Sequence, residues 1–443
     1  MRRLLFIFSF FSLLVVDGKA QEVETLTLED CLRIGIDNNL SLEGKRKEIQ
    51  KSKYGVSENR SKLLPQITVI AGYNNNFDPP VSVTDGSSYG VPYNITKTLQ
   101  HTANAGLEMQ MPLFNQTLYT SMSIAKVMEE ISRLSYGKAR EDIIMQISKM
   151  YYLGQVTAEQ IVLIKANITR LEELRDITQA FFDNGMSMEV DLKRVNINLE
   201  NLKVQYDNAQ AMMKQQLNML KYIMDYPAEK EFVLTPVNTD SITTVALTGL
   251  SENIYELQLS QSQVQLAEKQ KKIISNGYIP SLSLTGSWRY VAYTDKGYHW
   301  FHSGPSNHWF RSYGLGLTLR IPIFDGLDKT YKIKKAMIDI ENSKLAWENA
   351  RKSLQTQYLN AVNDLMNNQR NFKKQKDNYL LAEDVYTVTS DRYREGIASM
   401  TEVLQDEMQM SEAQNNYISA HYNYRITNLM LLKLTGQIES LVK

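Results

Sequence analysis

The chain has 443 residues, with 49 basic against 49 acidic side chains and a single cysteine, Cys31. The balanced charge gives no sign of a nucleic-acid partner, and one cysteine excludes an intrachain disulfide. Carboxylates are abundant but spread over solvated helix faces, no Gly-rich phosphate loop is present and Cys31 has no catalytic setting, so neither an enzyme nor a cofactor is expected.

The chain opens as an export signal. Arg2 and Arg3 precede an apolar run from Leu4 to Val16, and Gly18-Lys19-Ala20 offers small residues for cleavage before Gln21. The run is too short to span a bilayer as a helix, although an N-terminal anchor is the other reading. Removal of residues 1–20 takes three basic and one acidic side chain and leaves a net charge of −2. Cys31 lies beyond that cleavage point and reads as a small core residue, not a lipid-bearing one. No later stretch is long and apolar enough for a membrane helix.

A helix is predicted over 27–63, then strands over 66–74 and 103–111 flanking a loop at 74–99. In the second strand Ala103, Ala105, Leu107, Met109 and Met111 alternate with Asn104, Gly106, Glu108 and Gln110. Two proline-free helices follow, 116–183 and 187–222, with Asn184-Gly185 as the turn between them. Residues 225–250 carry Pro227, Pro236 and Thr/Ser/Asn-rich sequence and read as a linker with short extended pieces.

The elements then recur. A helix over 251–276 precedes strands at 281–290 and 313–321. In these, Leu282, Leu284, Gly286, Trp288 and Tyr290, and then Tyr313, Leu315, Leu317, Leu319 and Ile321, share the apolar face. Helices at 328–394 and 398–435 follow, turning at Glu395-Gly396. Leu64-Pro65 returns as Ile279-Pro280, Met111-Pro112-Leu113-Phe114 as Ile321-Pro322-Ile323-Phe324, and Gly185 as Gly396, at offsets of 215, 210 and 211. The chain is therefore read as a signal (1–20), a first repeat (21–224), a linker (225–250) and a second repeat (251–443).

Alternation of this kind fits a transmembrane β-barrel, or a soluble sheet with one buried face. The signal and the long loops 74–99 and 294–311, the latter with Tyr298, Trp300, Trp309 and Phe310, favour the barrel. A single-chain barrel needs at least about eight strands, and an open edge cannot face lipid. Four strands per chain thus require several copies to share one barrel. In the long second-repeat helix, steps of four and three from Ile333 run through Leu354, Tyr358, Ala361, Leu365 and Tyr386 to Tyr393, with polar breaks at Lys344, Arg351 and Gln375. Subtracting 211 gives a first-repeat stripe including Ile143, Ile147, Ile164, Leu171 and Phe182. A sustained seven-residue period predicts left-handed supercoiling with a partly wet seam. An exported coiled-coil or adhesin-like protein without a channel would also explain the heptads, but not the strands. His299, His302 and His308 fall in the predicted 294–311 loop, where an ordinary polar-aromatic loop is preferred to a metal site.

The doubled Pro-x-Phe junctions at Pro112 and Pro322, and the doubled tip glycines, resemble the TolC family of outer-membrane efflux ducts over essentially the whole mature chain. That resemblance implies an α+β membrane protein: a homotrimer sharing one twelve-stranded β-barrel in outer-membrane lipid, continued by a periplasmic tunnel of coiled-coil helices. It implies an export duct for a tripartite efflux or secretion system, docking a periplasmic adaptor and an inner-membrane pump. It also implies a tip gate, with acidic positions at Asp191 and Glu402 and a tyrosine at Tyr393. This chain departs from the family's latch at Ala398, where an arginine would stand, and at Gln405, where a second acidic residue would stand beside the present Asp406. Drug, metal and protein export share the architecture.

Overall fold

The computed structural model describes residues 24–97, 99–236, 248–294 and 308–442. The export signal, most of the linker's centre and the segment with His299 and His302 lie outside these residues, as does the side chain of His308. Two helices dominate: α3 (Gln116–Asp183, 68 residues) and α6 (Asp328–Arg394, 67 residues). At 1.5 Å per residue each is about 100 Å long. Neither contains proline, and each returns as a shorter helix, α4 (Glu189–Met224) and α7 (Met400–Leu434). The four pack side by side, with α3 against both α4 and α7, and α6 against α7.

The opening helix predicted over 27–63 is two helices, α1 (Leu28–Asn38) and α2 (Leu40–Ser61). Asn39 divides them: its backbone leaves the helical region, and its Oδ1 accepts from Leu42 N as the cap of α2. Its Nδ2 donates to the Ile223 carbonyl at 2.8 Å, so the break is fixed from α4's end. The second repeat opens with one helix, α5 (Tyr255–Asn276). α2 and α5 both lie along α3, and α5 also lies along α6.

Ahead of the long helices lies one antiparallel sheet of four strands in the order β2 (Gln66–Asn75), β5 (His101–Phe114), β7 (Ser281–Thr294), β8 (His308–Arg320). β5 and β7 outrun their predicted limits because their ladder continues to His101↔Thr294. Pro112 falls inside β5, beside a register shift between Pro112 and Phe114, so the first junction turns through a bulge. Pro322 lies beyond β8, where Gly326 and Leu327 both adopt left-handed backbone before α6. Asp325 holds that turn, accepting from Lys329 N and pairing with Lys329 Nζ at 3.0 Å. The expected short extended piece in the linker is present, while its pairing and a hairpin in the first loop go beyond the sequence-based reading. The predicted loop 74–99 contains a hairpin of β3 (Val81–Asp85) and β4 (Tyr93–Lys97). In the linker, β6 (Phe232–Leu234) pairs in parallel with β1 (Glu24–Leu26).

The core is distributed along the helices. Cys31, Leu32, Ile144, Ile147, Leu220, Met224 and Phe232 form a cluster where α1, α3, α4 and β6 meet. Burial pushes the Cys31 thiol up to about 12, in keeping with an inert core residue. Along α6 the buried residues from Leu354 to Tyr393 follow the seven-residue stripe, apart from Ser390. In α3 the stripe misplaces one residue: Phe182 is exposed, and Phe181 packs in the tip cluster. α3 is covered by α2, α4, α5 and α7, so its buried surface is wider than one heptad seam.

Candidate channel wall and tip

The register decides what the sheet presents. Gln66 stands against Gln110, Glu108 against Ser287, and Ser287 against Gly314. Because side chains alternate with period two, this puts the apolar sets of all four strands on one face and the polar sets on the other. The apolar face holds Ile67, Val69, Leu107, Met109, Trp288, Tyr313, Leu315 and Leu317. Nothing among the described residues covers it: Leu315 is 81% and Leu317 67% exposed. A soluble sheet buries such a face, so this one demands an apolar surrounding. The opposite face forms a polar hollow of about 480 Å³ lined by Gln66, Thr68, Glu108, Gln110, Thr285, Ser287 and Arg289. There Glu108 and Arg289 form an ion pair. The sequence assigned Glu108 to the polar face, but its partner emerges only from the β5–β7 register.

No helix among the described residues is long and apolar enough to cross a membrane. Among those residues there is also no cluster of three or more His, Cys, Asp or Glu that could hold a metal ion.

At the far end, both hairpins turn through the same device. Gly185 and Gly396 have φ of +73° and +74°, the left-handed region open to glycine. Gly185 N donates to the Phe182 carbonyl and Met186 N to that of Phe181; Gly396 N and Ile397 N repeat this with Tyr393 and Arg392. These paired bonds are the Schellman closure of a helix C-terminus. Asn184 and Glu395 are the exposed residues just before each glycine, and Asn184 Nδ2 also bonds the Ala180 carbonyl at 2.7 Å.

The three gate candidates take different roles. Tyr393 is 6% exposed and stacks obliquely on Phe181 at 5.6 Å between centroids. Its hydroxyl donates to Thr178 Oγ1 at 3.3 Å, while that threonine donates to the Leu174 carbonyl. Tyr393 thus ties α6 to α3 inside the protomer. Asp191 accepts from Arg194 at 3.2 Å, and Arg194 also reaches Thr401 Oγ1 at 3.4 Å, linking α4 to α7. Glu402 closes a capping box: it accepts from Ser399 N at 2.7 Å and from the Ser399 hydroxyl, while Glu402 N donates back to that hydroxyl. The Ser399 backbone bond, then its hydroxyl, holds this carboxyl below the usual range. The cap's stabilisation is therefore present above the ordinary carboxylate pKa and is lost as pH falls through the lowered value. A cleft of about 690 Å³ lies between the two tips, lined by Phe181, Met186, Asp191, Tyr393, Ser399 and Met400 among others. Ala398 gives its N–H to the Arg392 carbonyl and packs on the tip cluster; Gln405 is exposed. Thr178, Phe181, Arg194 and Thr401 were not singled out from sequence. Thr178 and Phe181 lie on a different helix from Tyr393, and Thr401 on a different helix from Arg194; Arg194 is one turn from Asp191 on α4, a spacing the sequence does show.

The chain is similar to known proteins over nearly its full length. It is 21% identical over 396 residues to the outer membrane protein TolC of Vibrio cholerae, covering 86% of this chain and 84% of that protein. It is 23% identical over 382 residues to the toluene efflux pump outer membrane protein TtgC of Pseudomonas putida, covering 81% and 75%. Its fold matches the open-state MtrE outer membrane channel of Neisseria gonorrhoeae with a TM-score of 0.74 at 18% identity, over 92% of this chain and 88% of that one. The family described as outer membrane efflux protein matches residues 34–224 and 239–437, one segment for each helical hairpin. The chain belongs to the outer membrane efflux protein family, and it is an efflux duct of the outer membrane.

Proposed function

We propose that three copies build one duct, with the four-stranded sheets joined into a twelve-stranded barrel and the helices continued as a periplasmic tunnel. The observation that carries this is the bare apolar face of a sheet whose two outer edges, on β2 and β8, meet no further strand among the described residues. Lipid satisfies the face but not the edges, because an unpaired backbone in hydrocarbon costs several kcal/mol per group. Joining β8 of one copy to β2 of the next satisfies both. The helices supply matching seams. On α6, Ile338, Leu345, Leu359, Met366 and Leu380 lie on one seven-residue stripe, broken by Lys352 and Lys373, and all five are exposed. On α4, Val190, Ile197 and Val204 do the same. Since α3 and α7 lie between them, α6 and α4 are the protomer's outer helices and would meet around a ring.

In this reading residues 21–224 and 251–443 are pseudo-equivalent walls. The duct works with a periplasmic adaptor and an inner-membrane pump and performs no chemistry of its own. The tip gate consists of Asp191, Glu402 and Tyr393. Tyr393 and the Asp191–Arg194–Thr401 chain hold the hairpins together, and Glu402 lines the constriction. Three Glu402 carboxylates drawn to a threefold axis would raise one another's pKa, against the lowering by the cap. Such a ring favours cations.

Two measurements test this. The mass of the detergent complex should be that of a trimer; a monodisperse monomer rules the reading out. In a planar bilayer, Glu402→Gln should weaken cation preference with the trimer intact. Unchanged selectivity would leave Glu402 as a helix cap only.

A further inference from the structure

Among the described residues of the four strands, the polar face carries three side chains that are charged at neutral pH: Glu108, Arg289 and Arg320. Glu108 and Arg289 pair with each other. Arg320 is exposed, stands opposite Ser281 and has no ion pair among the described residues. It lies six residues along β8 from Gly314, which is level with Glu108 through Ser287. That separation is roughly 20 Å, beyond the screening length of about 8 Å at physiological salt. The carboxylate that follows in sequence, Asp325, is held by Lys329. On the open side, the polar face of β2 is Gln66, Thr68, Ile70, Gly72 and Asn74, so pairing with a second copy brings no counter-charge.

We infer that Arg320 is a specificity-determining residue of the duct: it makes the helix-side end of the barrel lumen electropositive and favours anionic over cationic solutes there. The inference rests on the trimeric reading, which puts three such guanidiniums around one lumen. Glu108 and Arg289 cancel locally, so the unpaired charge sets the sign. A solute leaving an acidic tip would then meet a cationic ring at the base of the barrel. Rings of charged side chains set ion preference in pores, and a wide aqueous lumen makes the effect modest and dependent on salt.

The test is a local potential probe. Thr318 is two residues from Arg320 on the same face, about 7 Å away along the strand. Full-length Thr318→Cys is treated with small anionic and cationic methanethiosulfonates; the native Cys31 is buried and its thiol pushed up to about 12, so it stays silent. The anionic-to-cationic rate ratio should exceed that of Thr318→Cys/Arg320→Gln by about fivefold at 0.01 M ionic strength and about twofold at 0.15 M. Arg320→Glu should invert it. Glu108→Gln, which frees the more distant Arg289, should raise it only slightly. An equal ratio with and without Arg320 overturns the inference while leaving the duct intact. A Thr318→Cys that neither reagent modifies, beside a reactive Leu317→Cys, would mean that the faces are reversed and would overturn the duct reading itself. Should the cysteine variant not assemble, Arg320→Gln alone should shift the reversal potential under a salt gradient toward cations, and no shift overturns the inference.

Discussion

The two helical hairpins are near copies in length and in turn geometry, yet they occupy different surroundings. α3 is enclosed by α2, α4, α5 and α7, whereas α6 lies along α5 and α7 and meets α3 through scattered side chains such as Arg170–Glu383 and Tyr393–Thr178. Positions related by the 211-residue offset show the consequence. Ser148 on α3 is fully buried, and its counterpart Leu359 on α6 is exposed. Glu141 is buried, and its counterpart Lys352 is exposed and paired with Glu348. The tips differ as well. Ser399 caps α7 with Glu402, while Met188, at the same place, gives α4 no side-chain cap. Duplication preserved the period and the turns, and each copy's surface adapted to what covers it. The long helix of the first hairpin became enclosed, and that of the second kept an open face.

The sharpest break of that comparison is in the core. Leu171→Ala removes a fully buried α3 side chain and should cost about 2–5 kcal/mol of chain stability. Leu359→Ala should stay within about 0.5 kcal/mol in the isolated chain but reduce trimer yield. Thermal unfolding beside native-gel assembly separates the two, and equal unfolding losses would contradict this difference in enclosure.

The strands should behave alike in both copies, because alternation and the ladder register put Leu107 and Leu317 on one face. Leu107→Arg and Leu317→Arg each put a charge on the apolar face proposed to meet lipid, where it would cost about 2–4 kcal/mol at midplane. Both should deplete assembled trimer, and Thr318→Arg should not. Equal assembly of Leu317→Arg and Thr318→Arg would refute the register.

Glu141 tests the buried side by pH. Burial pushes its carboxyl up to about 7, against the pull of nearby Lys433. A raised carboxylate pKa in the folded state means that stability falls as pH climbs from the ordinary value toward 7. Glu141→Gln should raise the melting temperature at pH 8, with a gain of about 3 kcal/mol, and leave it unchanged near pH 4. A gain of the same size at both pH values would show that desolvation of the charge is not the cause.

The smallest effect is at the tips. Ser399→Ala should loosen the start of α7 by about 1 kcal/mol. Met188→Ser, facing Asp191 at the N3 position, should tighten α4 by a few tenths to about 1 kcal/mol. Hydrogen exchange at the first turns of α4 and α7 reads both changes, and identical protection in all variants would remove the capping distinction.

Local rules made much of this molecule legible. Long proline-free runs, ended by the glycine turns, gave α3 and α6 their predicted extents. Gly185 and Gly396 announced the turns because few other residues accept positive φ without strain. Period-two alternation separated Leu317 from Thr318 before any partner strand was known. Other features depended on neighbours distant in sequence. Asn39 breaks the first helix because the Ile223 carbonyl waits for it, 184 residues away. Phe181 replaces Phe182 in the core because α3 is covered on several sides. Glu108 meets Arg289 through a ladder spanning 181 residues. The heptad in α6 gave the buried stripe, but not the second, exposed one from Ile338 to Leu380. Sequence alone determined periodicity, turns and duplication, since these follow from backbone sterics and side-chain spacing within a few residues. Only the tertiary structure decided which faces were covered and which charges were paired, because burial and Coulomb partners depend on what packs alongside.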